Sequence, residues 1–452
     1  MAPERRHEIK DPVHGFVRLS QAERLLLDSA PVQRLRHIHQ LAYSGYVYPG
    51  ATHKRFEHSL GVTHLAGLAY DALLNNAERW GAAALPGGLD LPYWRRVLRA
   101  AALLHDVGHL PFSHAAEDLL PGGQSHEHLS GRLIVSGFLA GPLSALEVKA
   151  ADVAQVAVGW VDPGWMDQNL EGEHLSSAPA GWVAALSSLI TGDAFGADRI
   201  DYLLRDAYHS GAVLGTFDAA RLIDRLVLLD SAQIDGAQID SARTSGAGEL
   251  QVGLHSGALQ AAEALLTTRD ALYEGLYFHP VRRIYDHHLG MFLRAALGTP
   301  LLPQGEVGGF SGQLERHLAL SDNEVFAAIR QADLDPLAPG HRWARRLERR
   351  GHFRLLYRSR QQGAAPPVRE IAAAAREEFG PAQVVYDPVE RRPGRLDFPL
   401  LGRSGVESAQ ASSRLLRELP PVSAEYVFVA PEIRDRARLW LRDELRKTAS
   451  GK

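Results

Sequence analysis

The stretch AALLHDVGHLPFSH, residues 101–114, decides how the rest of the chain is read. An apolar helical run ends on adjacent His105 and Asp106, and Gly108 and Pro111 then break it. Neighbouring helical residues point about 100° apart, so this imidazole and carboxylate meet one ion only where the helix end opens into a cavity. An isolated His-Asp pair is common, and a capped helix end with an incidental histidine is its ordinary explanation. The weight therefore falls on the surroundings.

Two other segments supply them. In RFEHSLGVTHLAGLAYDALL, residues 55–74, His58 shares a helical face with Val62, Leu65 and Ala69, at i, i+4, i+7 and i+11. An imidazole on that inward face needs a partner, because an unsatisfied buried polar group is costly. In GADRIDYLLRDAYHSG, residues 196–211, a helix gathers Asp198, Arg199, Tyr202, Asp206 and His209 within an arc of about 100°. Such a stripe is usually a solvated face. Its carboxylates, cation, phenol and imidazole also match what a phosphate-bearing ligand needs.

Composition sets the limits. The 452 residues are 45% apolar, enough for a large core, and include no cysteine. Disulfides and thiolate metal sites are excluded, which suits a cytoplasmic location. Net charge is −4 with a pI near 6.6, so nothing draws the whole chain to nucleic acid or an anionic membrane. The first residues are charged and lack the apolar core of a signal peptide. No apolar run is long enough to span a bilayer. Of 21 histidines, 12 lie in the first 128 residues.

The spacing predicts an extended arm or strand pair over 1–20. Helices are expected over 21–40 (interrupted near Pro31), 55–79, 92–105, 125–139, 144–158, 181–191, 196–210 and 256–297. Residues 231–252 read as a hairpin or loop insertion. Beyond residue 300 proline and glycine rise. Helices over 311–332 and 340–360 are expected there, then strands in QVVYD, DFPLL and EYVFVAP and a final helix over 431–447. The expected fold is mainly α, with a domain over 1–300 and a smaller mixed α+β region over 301–452.

The ordered pattern His58, His105-Asp106, Asp198 resembles that of the HD-domain metal-dependent phosphohydrolases, whose core is a helical bundle. KDPVHGFVRL, QRLRHIHQL, YPGATHKRFEHSLGV, HDVGHLPFSH, SHEHLS and DRIDYLLRD are similar to segments of the deoxynucleoside triphosphate triphosphohydrolases. They fit best the branch that includes the sterile-alpha-motif-and-HD dNTPase and its bacterial relatives. The resemblance covers about residues 8–300.

It implies the following. His58, His105, Asp106 and Asp198 hold a divalent metal ion; two imidazoles and two carboxylates suit Fe, Mn, Zn or Ni and, less well, Mg. His109 and His126 resemble catalytic histidines, with Glu117, often Asp in the family, as the acidic partner that raises a histidine pKa. Arg55 and His114 resemble phosphate contacts, and Arg199 stands where close relatives often carry lysine. Tyr202 resembles the residue packed on the sugar, and Gln40 and Asp206 its 3′-hydroxyl partners. Leu41 resembles a steric gate against a 2′-hydroxyl. Tyr285 matches a further pocket position, while Tyr277 replaces an arginine common in the family. Asp28, Gln33 and Arg36 match residues that bind a guanine-nucleotide effector between subunits, so a guanine-nucleotide or dNTP effector and a homo-oligomer are expected.

The reading is a metal-dependent dNTP triphosphohydrolase releasing deoxynucleoside and inorganic triphosphate, with nucleotide activation as an option. The alternatives are an HD phosphodiesterase or phosphohydrolase acting on another nucleotide, or a non-catalytic nucleotide sensor. The arginine-rich run 341–360 reads as an ordinary amphipathic helix rather than a nucleic-acid surface.

Overall fold

The structure is a computed structural model that describes residues 7–80, 85–113, 125–159, 178–213, 216–230, 234, 250–296, 309–358, 366–390, 397–420 and 422–450. The fold is mainly α. A hairpin of β1 (His7–Asp11) and β2 (Gly15–Leu19) leads into α1 (Gln21–Leu27) and α2 (Ala30–Arg34). Ser20 and Glu23 close a capping box at the start of α1. Pro31 opens α2 in its first turn, where its missing N–H costs nothing.

The bundle is built on α3 (Arg55–Trp80), against which α4 (Leu91–Leu104), α8 (Ala180–Thr191) and α9 (Ala197–Ser210) pack. Asp90 caps α4 by accepting from the Tyr93 N–H. From Val97 to Leu104 every residue of α4 is buried, so the helix is driven into the core along its C-terminal half. Gly211, at φ +72°, ends α9 in the left-handed conformation that glycine adopts without strain.

Between α4 and α8 lie α5 (His126–Ile134), α6 (Gly137–Ala145) and α7 (Ala150–Val158). The helix expected over 125–139 is therefore two, separated at Val135-Ser136, and the next begins at Ala150 rather than 144. After α10 (Ala219–Asp224), β3 (Leu226–Asp230) pairs antiparallel with β4 (Leu250–His255). Most of the insertion expected over 231–252 lies outside the described residues.

Two departures from the expected helices matter for the site. The segment 256–297 is Leu259–Leu272, a π turn over Tyr273–Tyr277, and Pro280–Ala296. The segment 340–360 is helical only over His341–Glu348; Arg350, at φ +52°, turns the chain into β5 (Arg354–Arg358).

Packing crosses residue 300 in both directions. β7 (Pro399–Gly402) pairs with β4 and β8 (Gly405–Ser408), and Leu314, Phe398, Leu400 and Leu416 join the main core. In return Tyr43 and Phe112 join a second core with Tyr285, Phe292, Ile329, Leu347 and Phe428. A three-stranded sheet in the order β5-β9-β6, from β6 (Val384–Glu390) and β9 (Ser423–Val429), covers that core. The last helix runs over Arg434–Ser450. No helix among the described residues is long and apolar enough to cross a membrane.

Candidate metal centre and adjoining pocket

His58 sits one turn into α3 and is 1% exposed. Its Nδ1 lies 2.7 Å from Asp201 Oδ2. With that carboxylate accepting the Nδ1 proton, the Nε2 lone pair faces carboxylate oxygens, Asp198 Oδ1 at 3.0 Å and Asp106 Oδ2 at 3.6 Å. His105 follows α4 directly, and its Nδ1 lies 2.8 Å from the Ala102 carbonyl. That backbone contact turns the His105 Nε2 inward, 3.4 Å from Asp106 Oδ1 and 3.7 Å from Asp198 Oδ1. The four residues predicted as ligands converge.

The donor set fits a cation. Among the described residues both Nε2 atoms are buried without a hydrogen bond, and both confront anionic oxygens. His58, His105 and Asp106 place ligand atoms within 4.8 Å of one another. Burial pushes the His58 imidazole down, but Asp198 and Asp201 outweigh it and hold its pKa raised to about 10. Burial raises the Asp106 and Asp198 carboxyls, and the histidines around them, with Arg55 beside Asp106, overcome that and hold both well below the usual range.

Sequence reasoning missed the support for His58. Asp201 is fully buried. It accepts from Arg205 Nε and Nη2 at 2.9 Å each and lies 2.6 Å from His14 Nε2. Arg205 also donates to Asp11 Oδ2 at 2.9 Å. This set orients the imidazole and fixes its tautomer, as carboxylate partners of metal-ligating histidines do. It occupies the space beside Gly61, where a Cβ would fall 1.8 Å from Asp201 Oδ1.

The turn after the ligands is set by Gly108. A Cβ there would come within 2.2 Å of the Ser130 nitrogen and 2.3 Å of the His126 carbonyl, so α5 starts directly against the turn. Ser130 Oγ donates to the His105 carbonyl and accepts from the Gly108 N–H. His126, first residue of α5, thereby lies against His109, with ring centroids 3.7 Å apart and planes tilted by 35°, and His109 Nδ1 lies 3.2 Å from Asp106 Oδ1. Burial first, then Arg55, push the His109 imidazole well down. The acidic partner expected to raise a histidine pKa, Glu117, is not among the described residues. Arg55 donates to Asp106 and, at 2.9 and 2.8 Å, to Ser113 Oγ. His114 also lies outside the described residues.

Along α9 the polar arc continues away from the cluster. Arg199 donates to the Gly192 carbonyl at 3.0 Å. Asp206 is buried, 2.8 Å from His53 Nε2, and accepts from the Tyr277 hydroxyl at 2.6 Å. The Tyr277 ring meets Tyr202 edge-on at 6.2 Å. Gln40 donates its N–H to the His53 carbonyl, and its buried Oε1 has no hydrogen-bond partner among the described residues. Leu41 is 5% exposed beside it.

Tyr285 stands elsewhere. It is fully buried among Tyr43, Tyr46 and His352 in the second core, whereas the hydroxyl that reaches Asp206 is that of Tyr277. Asp28 caps the C-terminus of α1, Gln33 lies in α2 and Arg36 in the 3-10 turn that follows it. Asp28 pairs with Arg24 at 2.7 Å, Gln33 accepts from Arg36 Nε at 2.8 Å, and Arg36 covers the Phe56 ring. They are neighbours on the surface, held by contacts within the chain.

Comparison with known proteins agrees with this geometry. Residues 55–151 match the model of the HD domain family. An uncharacterised protein of Methanocaldococcus jannaschii is 31% identical over 278 residues, which are 62% of this chain and 47% of that protein. The human deoxynucleoside triphosphate triphosphohydrolase SAMHD1 is 26% identical over 397 residues, 83% of this chain and 59% of that one. The chain thus spans about half the length of the curated relatives it matches. The crystal structure of a hypothetical protein from Aquifex aeolicus superposes with a TM-score of 0.74 at 28% identity, covering 97% of this chain and all of that one. Residues 55–151 are an HD domain, set in a chain similar to the deoxynucleoside triphosphate triphosphohydrolases.

Proposed function

We propose that the protein is a metal-dependent phosphohydrolase that hydrolyses a dNTP at the α-phosphate, releasing deoxynucleoside and inorganic triphosphate. One observation carries the reading: α9 presents Asp198, Tyr202 and Asp206 at i, i+4 and i+8. Asp198 stands in the metal cluster, and Asp206 is fixed between His53 and Tyr277. Eight residues of helix rise about 12 Å. That row offers an ion site for phosphate at one end, an aromatic ring for a sugar in the middle, and a hydroxyl acceptor at the far end.

His58, His105, Asp106 and Asp198 would hold the ion. When bound, it would act as a Lewis acid toward a phosphoryl oxygen and lower the pKa of water. Arg55, fixed by Ser113, presents a fork suited to a phosphate. His109, beside Arg55 and Asp106, would serve as a hydrogen-bond acceptor toward the substrate. His126, its ring 3.7 Å from that of His109, would pass a proton to the leaving 5′ oxygen. The unpartnered Gln40 Oε1 fits a 3′-hydroxyl donor, and Leu41 closes the adjacent space against a 2′-hydroxyl. Activation by a guanine nucleotide at Asp28, Gln33 and Arg36 and assembly into a homo-oligomer extend the same reading.

Incubating the Mn2+-loaded protein with each dNTP and separating products by ion-exchange chromatography tests it. Deoxynucleoside plus triphosphate is expected. Deoxynucleoside monophosphate plus pyrophosphate, or no turnover with any dNTP, contradicts it. His105→Ala with Asp106→Ala should lose metal and turnover while remaining helical by circular dichroism.

A further inference from the structure

A second cavity, of about 320 Å³, opens between the β1–β2 hairpin, the start of α1, the middle of α3 and the start of α4. Its walls are Phe16, Arg18, Glu23, His64, Leu68 and Arg95, and Arg99 forms the floor. That volume lies in the range of small-molecule sites. His64 is six residues from His58, about 120° around α3, and the cavity shares no residue with the metal cluster.

The floor is fixed and neutral. Arg99 pairs with Glu23 Oε1 at 2.5 Å and donates to the Thr63 and Arg18 carbonyls at 3.1 and 2.9 Å. Its guanidinium lies so close to α3 that a Cβ on Gly67 would come 2.6 Å from Nη1. The rim is different. Phe16 is 50% exposed and Leu68 45% exposed, two large apolar side chains facing one polar cavity. Arg18 reaches it while pairing with half-exposed Glu8 at 2.9 Å, and Arg95 while forked onto half-exposed Asp71 at 2.7 and 2.8 Å. The single-contact Arg18 pair is worth about 0–1 kcal/mol, so exchanging it for another anion costs little; Arg95 already shows the forked geometry in which a phosphate would be held. His64 has no hydrogen bond among the described residues. Burial, with His14 and Arg99 nearby, pushes its pKa down, which leaves a neutral imidazole able to donate or accept.

We propose that this cavity is a second ligand site that takes a small organic phosphate with an aromatic or apolar body. The forked guanidiniums of Arg95 and Arg18 suit the phosphate, Phe16 and Leu68 the ring, and His64 one polar group. His14, 5.7 Å from the His64 ring, also contacts Asp201 at 2.6 Å, so the site borders the string of side chains that ends on His58.

Calorimetric titration of the Mn2+-loaded protein with phenyl phosphate, AMP and inorganic phosphate tests this. One phenyl phosphate or AMP is expected to bind at this site. Binding there should persist in His105→Ala and weaken at least tenfold in Arg95→Glu and in Leu68→Trp, both at exposed positions. Three results would overturn the assignment: undiminished binding in both cavity variants, loss of binding in His105→Ala, or no binding of either aromatic phosphate at millimolar concentration. Inorganic phosphate binding as tightly as phenyl phosphate would remove the role given to Phe16 and Leu68.

Discussion

Gly61→Ala changes no ligand, yet it should weaken metal binding. On intrinsic grounds the substitution is favourable, since alanine in a helix interior gains about 1 kcal/mol over glycine. Here the new Cβ would fall 1.8 Å from Asp201 Oδ1 and 2.6 Å from Arg205 Nη2, where ordinary contact begins at 3.4 Å. The carboxylate must retreat by about 1.6 Å. Its contacts with His14, His58 and Arg205 span 2.6–2.9 Å, and a movement of that size carries at least one beyond bonding distance. Breaking a buried, paired charge costs about 3–5 kcal/mol, so a net destabilisation of about 2–4 kcal/mol remains after the helix gain. His58 would lose the partner that sets its tautomer, which costs roughly 10–100-fold in metal affinity. Urea unfolding in EDTA measures the first effect and calorimetric Mn2+ titration the second. A variant stabilised by about 1 kcal/mol with unchanged Mn2+ affinity would refute the reasoning.

Other consequences can be checked separately. Tyr277→Phe removes the hydroxyl that donates to Asp206 and should lower kcat/KM for dNTPs by roughly 5–10-fold, at about 1 kcal/mol per hydrogen bond; Tyr285→Phe, in the second core, should leave KM unchanged in steady-state assays. Leu41→Ala should raise rNTP turnover relative to dNTP turnover, and an unchanged ratio removes Leu41 as the gate. His288 is fully buried against Trp343 and Phe353, and burial, then His287, lowers its pKa to about 2. Because the folded pKa lies below the unfolded value of 6.5, stability from this residue is present above pH 6.5 and lost as pH falls toward the folded value. His288→Phe should therefore abolish about 2 kcal/mol of the stability that the native protein loses between pH 6.5 and 5, at about 1.4 kcal/mol per unit. Equal pH slopes in urea unfolding would contradict this.

The cluster was legible because its residues end or begin strong helices. Asp90 and Pro92 announce α4, the apolar run drives it inward, and His105-Asp106 stands where Gly108 breaks it. The spacing of His58, Val62, Leu65 and Ala69 likewise turned His58 toward the core. Asp201 and Arg205 were not legible, because a buried carboxylate and guanidinium at i and i+4 have the spacing of a surface ion pair. Tyr277 was legible only as the replacement of an arginine; that its hydroxyl reaches Asp206 was not, because it stands on a π turn over Tyr273–Tyr277, across which counting at 3.6 fails. In 340–360, Leu347 and Leu355 suit one helical face, but Arg350 takes φ +52° and the second half becomes β5. Buried tertiary partners and one-residue shifts leave little trace in a single chain's periodicity.

The central claim is that water attacks the α-phosphorus while the 5′ oxygen leaves. Turnover of a dNTP in H2 18O, followed by mass spectrometry of both products, tests it most directly. One 18O in the triphosphate and none in the deoxynucleoside is the predicted result. Label in the deoxynucleoside hydroxyl, or label confined to pyrophosphate, would contradict it.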